Sequence, residues 1–228
     1  MKKNIINEAE VFEINDNLSA TTFTFGPNKS KIVIIDNFYK NPHMVRELAL
    51  TIPPTCNSRI LGYLPGSRID AFYNLEHFAV VFEEVIRSVF LPEEKRNLEN
   101  SNLDVIFKSA TFCVNVLQST NLPAVVPHVD NREDFRFAST IYLNTPEECN
   151  GGTSFYTYNG SQAGPTSLDA GKQDHYVTDS VGPWEKIFLA EMKFNRFVLY
   201  EQNILHTAYI KPGMFENDVY RLAQMFFI

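Results

Sequence analysis

From residue 104 to the C-terminus, the sequence is a succession of short β-prone segments separated by turns, and this feature constrains the fold most. Segments of strand length that are rich in β-branched and aromatic residues favour strands. The predicted strands cover residues 105–107, 111–118, 137–144, 153–158, 187–192, 196–200, 204–210 and 220–228. About eight short strands within about 125 residues predict a sandwich or a jelly-roll barrel.

The helical signals lie before these strands. Apolar residues recur at helical spacing over residues 75–89, which predicts an amphipathic helix. Asn41-Pro42 predicts the start of another helix, which should end before Pro53-Pro54. Shorter elements are predicted as strands at residues 11–14, 22–25 and 31–37 and as a helix at residues 93–98.

These patterns predict a single domain of the α+β class that is mainly β. Residues 1–103 would supply strands and supporting helices packed on one sheet, and residues 104–228 would form the β core. Residues 159–185 are rich in Gly, Ser, Asp and Gln and have little periodicity. So long a segment within a compact domain is either functional or mobile, and we interpret it as a lid.

Composition excludes several classes of function and location. The net charge is -7, and no basic stretch is long enough to follow a phosphate backbone, so nucleic acid is not an expected partner. No apolar run would span a bilayer, and the N-terminus does not resemble a signal peptide. The three cysteines form neither a CxxC pair nor a disulfide framework, which favours a reducing cytoplasm.

The segment Pro127-His128-Val129-Asp130 carries the strongest chemical signal. Successive side chains of a strand point to opposite faces, so His128 and Asp130 would share a face. His206, on a later predicted strand, is the candidate for a third metal ligand. The triplet alone is weak, since a surface His-Val-Asp near a turn matches it equally well.

Two imidazoles and one carboxylate on one side of a metal leave its opposite side open. This arrangement suits Fe(II) that must also bind a co-substrate and O₂. Structural zinc prefers a closed set of four ligands, usually with cysteines, and the cysteines here have no suitable spacing. The pattern therefore favours an iron site formed by His128, Asp130 and His206.

Further motifs follow in a set order along the chain. They are H-V-D-N at 128–131, I-Y-L-N at 141–144, G-G-T-S-F at 151–155, N-R-F-V-L-Y at 195–200, His206, and Y-R-L at 220–222. Together they resemble the prolyl-hydroxylase-like branch of the 2-oxoglutarate oxygenases over about the last hundred residues. The resemblance implies a double-stranded β-helix (jelly-roll) core with His128 and Asp130 on its second strand and His206 on its seventh.

The resemblance also implies how 2-oxoglutarate would be bound. Arg221 takes the position that binds the far carboxylate, and a guanidinium offers that group a planar, bidentate partner. Alternatively, Arg221 pairs with a structural acid such as Asp218. Since His206 and Arg221 are fifteen residues apart, more than is usual in the nearest relatives, Lys211 is the second candidate.

Three more residues complete the expected pocket. Tyr142 matches a position whose hydroxyl supports the same carboxylate, although a core tyrosine would fit the pattern almost as well. Asn115 and Gln118 lie on the strand before His128 and are candidates for lining the pocket, with Gln118 assigned to co-substrate binding.

The implied activity is that of an Fe(II)- and 2-oxoglutarate-dependent oxygenase that uses O₂. Its expected substrate is an amino acid, a peptide or protein, or a small metabolite, and hydroxylation is the expected outcome. Two alternatives remain open. One is a catalytically silent jelly-roll binding protein, and the other is a cupin-like metal enzyme that does not use 2-oxoglutarate.

Overall fold

The computed structural model describes most of the chain. It covers residues 7–51, 56–57, 67–70, 76–90, 109–115, 124–130, 136–164, 172–173, 177–216 and 219–228. The strand predicted at residues 105–107 and the helix predicted at residues 93–98 lie outside the described residues.

The described residues form three helices and thirteen strands. The helices are α1 (Glu8–Val11), α2 (Pro42–Thr51) and α3 (Glu76–Phe90). The strands are β1 (Ala20–Phe25), β2 (Ser30–Ile35), β3 (Cys56–Asn57), β4 (Ser67–Asp70), β5 (Ser109–Asn115), β6 (Ala124–Val125), β7 (Phe137–Tyr142), β8 (Gly152–Tyr158), β9 (Lys172–Gln173), β10 (Trp184–Glu191), β11 (Phe197–Glu201), β12 (His206–Tyr209) and β13 (Arg221–Phe227). The fold is mainly β, as the sequence predicts.

The strands pair in antiparallel fashion within two sheets and one additional short pair. The large sheet has the order β1-β2-β11-β7-β13-β5-β4-β3, and the small sheet has the order β10-β8-β12. Strands β6 and β9 pair with each other. Among the described strands, the four central pairs of the large sheet join strands that are distant in sequence, whereas β1-β2, β3-β4 and β4-β5 are consecutive.

One hydrophobic core lies between the helices and the large sheet. Val45 and Leu48 of α2 and Phe78 and Phe82 of α3 are buried in the same cluster as Phe226 of β13. Phe78 and Phe82 contact the Phe226 ring with centroid distances of 5.5 and 5.7 Å. Helices α2 and α3 therefore pack on one face of the large sheet.

A second core lies on the other face of the large sheet, toward the small sheet. It combines Tyr142 of β7, Tyr200 of β11 and Ala223 of β13 with Phe155 of β8. Strand alternation explains the division, because Leu222 and Phe226 of β13 face the helices while Ala223 faces the small sheet. Functional side chains on this inner face are thereby enclosed between two sheets.

Three details differ from the sequence-based expectation. The strand predicted at residues 11–14 is wrong, because α1 extends through Val11, and Val11 and Phe12 are both buried where an alternating strand would bury only one. The predicted lid ends too late, since β10 begins at Trp184, within residues 159–185. The same segment also contains β9, which alternation did not reveal.

The helices reach at most fifteen residues in the described part of the chain. None of them is both long and apolar enough to cross a membrane.

Candidate metal centre

His128 and His206 are brought together by the backbone. They form an isolated antiparallel bridge, in which each backbone N–H donates to the other residue's carbonyl at 3.0 and 2.9 Å. Two residues further on, the N–H of Asp130 donates to the carbonyl of Gln202 at 3.0 Å. The His-Val-Asp segment is thus held next to the beginning of β12, and the predicted triad is assembled.

Both imidazoles are oriented by hydrogen bonds to nearby carbonyls. Nδ1 of His128 lies 2.8 Å from the carbonyl oxygen of Val126, and Nδ1 of His206 lies 2.9 Å from that of Ile204. A carbonyl accepts only from a protonated Nδ1, so each ring presents an unprotonated Nε2 for coordination. This is the arrangement by which proteins commonly fix a metal-binding histidine.

The free ring nitrogens converge on the carboxylate. The Nε2 atom of His128 lies 3.9 Å from Oδ1 of Asp130, and that of His206 lies 3.6 Å from Oδ2. One ligand atom from each residue can be chosen so that all three lie within 4.8 Å of one another. The three ligands would therefore occupy one face of a metal ion's coordination sphere and leave the opposite face open.

Burial keeps the two imidazoles in the form that binds metals. It lowers the pKa of His128 to about 4, assisted by the nearby His206 and opposed by the charge of Asp130. Burial likewise lowers the pKa of His206 to about 4. Both rings are therefore neutral at physiological pH, so no proton competes with a cation there.

Aromatic rings form the wall of the interior next to the triad. The Tyr200 ring lies 4.7 Å from the His206 ring and 5.2 Å, edge-on, from the Phe155 ring. Phe155 also contacts His206, at a centroid distance of 6.4 Å. These rings exclude water from one side of His206 and leave an apolar wall beside the metal-binding atoms.

Arg221 enters the same interior from the start of β13. It is only 5% exposed, and its guanidinium carbon lies 5.6 Å from the centre of the Tyr142 ring. Its Nε atom is buried and has no hydrogen-bond partner among the described residues, and no described carboxylate forms an ion pair with it. A buried cation of this kind requires an anionic partner, and Asp218, the structural alternative, lies outside the described residues.

Tyr142 lies beneath Arg221 and is fully buried. Its hydroxyl is 2.7 Å from Oγ1 of Thr153 and donates more weakly to the carbonyl of Ala190 at 3.4 Å. Burial raises the pKa of Tyr142, although the Arg221 charge opposes this. The phenol is therefore a neutral hydrogen-bonding group next to the guanidinium. This environment fits a tyrosine that supports a carboxylate and equally a core tyrosine.

Three further residues were predicted to line the pocket or to bind the co-substrate: Asn115, Gln118 and Lys211. Asn115 is the β5 partner of Arg221 in the strand register, while Gln118 lies outside the described residues. Lys211 does not enter the interior, because its Nζ lies 3.1 Å from Asp179 and 5.4 Å from the centre of the Tyr209 ring, in a largely exposed cluster. Lys211 is therefore not placed to replace Arg221.

Comparison with known proteins shows the family of the chain. The model of a family of unknown function, DUF6445, matches residues 16–221. The chain belongs to the DUF6445 family. No curated protein matches this DUF6445 protein.

One solved structure similar to this DUF6445 protein is the crystal structure of EvdMO1, with 12% sequence identity and a TM-score of 0.41. The match covers 92% of the DUF6445 chain and 55% of the EvdMO1 chain, so the chain spans about half the length of that protein.

Tyr200 of this DUF6445 protein lies in the 195–200 motif, but no role was predicted for it from sequence. Burial raises the pKa of its phenol, with Asp130 and Tyr142 acting in the same direction and Arg221 opposing them. Tyr200 therefore lies near both the triad and the Arg221–Tyr142 pair. The available signal was the two-residue spacing of Val198 and Tyr200 on a predicted strand, because residues two apart share a face. Both residues are buried on the inner face.

Proposed function

We propose that this protein is an Fe(II)- and 2-oxoglutarate-dependent oxygenase built on a double-stranded β-helix core. The proposed enzyme hydroxylates an amino acid, a peptide or protein, or a small metabolite. We further propose that the chain is one oxygenase domain and acts in the cytoplasm. The single observation that carries the proposal is the convergence of His128, Asp130 and His206 in the same interior as the buried Arg221.

The strand order supports the proposed core. Counting from β5 and omitting β9, the first, third, sixth and eighth strands (β5, β7, β11 and β13) lie in the large sheet, and the fourth, fifth and seventh (β8, β10 and β12) lie in the small sheet. The second, β6, ends at Val125, and His128, three residues further on, joins the small sheet through its bridge to His206. Such alternation between two facing antiparallel sheets is what a jelly roll requires.

The donor set supports iron. Two neutral imidazoles and one carboxylate compensate only one charge of a divalent cation and leave coordination positions open, as in non-haem Fe(II) oxygenases. The Nδ1–carbonyl hydrogen bonds of His128 and His206 fix both rings before any metal binds. The residues present therefore fit a catalytic Fe(II) better than a closed structural ion.

The far side of the interior supports a dicarboxylate co-substrate. Arg221 would bind the carboxylate remote from the metal, and the neutral Tyr142 hydroxyl would donate a further hydrogen bond to it. The buried, unsatisfied Nε of Arg221 is the observation that fits an anion. With Fe(II) held by the triad, O₂ would be the oxidant. One of its oxygen atoms would enter a substrate C–H bond, and the other would oxidise 2-oxoglutarate to succinate and CO₂.

The test is spectroscopic and anaerobic. Fe(II) and then 2-oxoglutarate are added to metal-free protein, and the visible charge-transfer band of a chelated keto acid is followed. We expect the band in the wild type and in the exposed control variant His43→Ala, but not in His128→Ala or His206→Ala. Iron binding without a band would favour a cupin-like metal enzyme, and failure to bind iron would favour a silent jelly-roll binding protein.

A further inference from the structure

The outer face of the small sheet, opposite the triad, carries its own buried cluster. Val129 lies between His128 and Asp130, and Leu205 directly precedes His206. Their side chains point away from the metal-binding atoms and are buried together with Tyr156 and Val177. Tyr158 and Trp184 pack against this cluster at its edge.

Val177 does not belong to the sheet. It begins the described residues that lead into β10, and we call residues 177–180 the return segment. Val177 is only 6% exposed, so the return segment covers the outer side of both ligand-bearing strands. The metal-binding atoms therefore have a packed layer behind them.

Tyr156 fixes the first residue of the return segment. Its backbone N–H donates to the carbonyl of Leu205 at 2.9 Å, and its hydroxyl donates to the carbonyl of Val177 at 2.5 Å. Burial raises the pKa of this phenol to about 12, so the hydroxyl keeps its proton at physiological pH. One residue thus contacts both the chain before His206 and the return segment.

Lysines hold the next residues of the return segment. Nζ of Lys186 donates to the carbonyl of Thr178 at 3.0 Å, and its backbone N–H donates to Oγ of Ser180 at 3.0 Å. Asp179 forms ion pairs with Lys186 at 3.3 Å and with Lys211 at 3.1 Å. Since these ion pairs are largely exposed, the buried Tyr156–Val177 contact is the stronger restraint.

We propose that Tyr156 is a positioning residue that holds the return segment against Val129 and Leu205 and so fixes the ligand strands of the metal site. This inference rests on the metal site of the proposed function. It assigns to the return segment a role on the outer face of the small sheet.

Such support matters because regular strand pairing around the triad is short. β6 ends at Val125, before His128, and the bridge between His128 and His206 is isolated. Regular backbone pairing therefore holds His206, through β12 and β8, but fixes few residues around His128 and Asp130. Packing of Val129 and Leu205 against Val177 supplies the remaining restraint on how far the ligand side chains project into the interior.

The experiment compares Tyr156→Phe with the matched control Tyr158→Phe in the full-length protein. Tyr158 belongs to the same cluster, with its ring 4.6 Å from that of Trp184, and its hydroxyl has no hydrogen bond to any described residue. We expect Tyr156→Phe to raise the Kd for Mn(II) about tenfold, the lower end of the effect of losing a residue that supports metal ligands. Tyr158→Phe should bind Mn(II) as the wild type does.

Trypsin provides a second measurement. Lys172 is the one Lys or Arg between residues 159 and 183, so the masses of the fragments identify cleavage there. Because coupling between two sites is reciprocal, Mn(II) should slow this cleavage in the wild type and have less effect in Tyr156→Phe. The visible spectrum of bound Co(II) should also change in Tyr156→Phe, which a purely structural role would not predict.

Val177→Ala separates positioning from general loss of stability. It removes the packing on Val129 and Leu205 but keeps the carbonyl, and it too should weaken Mn(II) binding. Unchanged Mn(II) affinity and Co(II) spectrum in folded Tyr156→Phe would overturn the positioning role while leaving the proposed function intact. A wild type that binds no metal would instead overturn the metal site itself.

Discussion

His128 and His206 face each other across an antiparallel bridge, with reciprocal backbone hydrogen bonds of 3.0 and 2.9 Å. Their rings lie side by side, with centroids 4.9 Å apart. Because the backbone sets this spacing, the metal-binding geometry does not depend on a bound ion. The site is therefore preorganised. The effect of an interior substitution on ligand affinity can then be measured separately from its effect on the free energy of unfolding.

Arg221 offers the sharpest separation of metal binding from co-substrate binding. We expect Arg221→Met, which keeps length but removes the charge, to retain Fe(II) and to weaken 2-oxoglutarate binding on the order of a hundredfold, since charge-assisted hydrogen bonds are lost. Titration of the anaerobic charge-transfer band measures this. Arg221→Lys should recover part of the affinity, because it restores the charge but not the bidentate fork.

Arg196→Met is the matched control for this experiment. Its guanidinium donates to Asp36 and to the carbonyl of Glu191, so 2-oxoglutarate affinity should not change. Turnover by Arg221→Met with unchanged dependence on 2-oxoglutarate would contradict the carboxylate assignment.

Tyr142→Phe distinguishes a co-substrate ligand from a core tyrosine. Loss of the hydroxyl removes the 2.7 Å contact with Thr153 and should lower the free energy of unfolding by about 1 kcal/mol. If the hydroxyl also supports the carboxylate, the KM for 2-oxoglutarate should rise about fivefold, an effect of about 1 kcal/mol. Thr153→Val keeps the phenol and removes its partner, so an equal KM change there would indicate a structural role only.

The triad could be predicted from sequence because its geometry is local. Alternation along a strand places His128 and Asp130 on one face, and only His206 had to come from elsewhere. Arg221 and Tyr142 were assigned through the resemblance. They lie close together, with 5.6 Å between the guanidinium carbon and the ring centre, and their role in co-substrate binding stays a prediction.

Other features depend on registers that a single sequence does not encode. Tyr200 and Tyr156 each lie on predicted strands, but their importance comes from contacts with His206 and Val177, which are near in space through the strand order. Helix α3 was predicted almost to the residue because its apolar period extends over four turns. By contrast, Val11 and Phe12 are adjacent in sequence and are buried together, which the two faces of a strand do not allow, so the strand prediction failed there.

Gly151 allows a test of the turn that begins β8, and Gly160, which follows β8, is the matched control. Gly151 has φ of +73°, and a Cβ atom there would lie 2.1 Å from the carbonyl oxygen of Tyr209. Because the obstacle is backbone, we expect Gly151→Ala to destabilise the fold by roughly 3 kcal/mol or more. Gly160 has φ of +76° but no atom within 4 Å of such a Cβ, so Gly160→Ala should cost about 1 kcal/mol.

Urea unfolding of the two glycine variants gives both free energies of unfolding. Equal losses would mean that conformational strain alone determines the cost, and that the approach of Tyr209 to Gly151 contributes nothing. A larger loss in Gly151→Ala would show that the close approach of β12 to the start of β8 is required.

Asp36 should make stability depend on pH below the physiological range. It accepts hydrogen bonds from Arg196 at 2.6 Å and from Lys193 at 2.8 Å, and Arg196 chiefly lowers its pKa from 3.8 to about 2. A depressed carboxyl pKa contributes stability that is fully present above the unfolded value and is lost as the pH falls through the folded value. Since its side chain is 34% exposed, we discount this contribution to about 1 kcal/mol.

Asp36→Asn should therefore lower the free energy of urea unfolding by about 1 kcal/mol at pH 6, and the difference from wild type should shrink toward pH 2. Asp179→Asn is the control, because the pKa of Asp179 is also lowered, by Lys211 first, but its ion pairs are largely exposed and solvent screens them. A difference for Asp36→Asn that stays constant between pH 6 and pH 2 would mean that the carboxylate charge does not stabilise this end of β2. The loss would then come from geometry, because the amide cannot satisfy both Arg196 and Lys193.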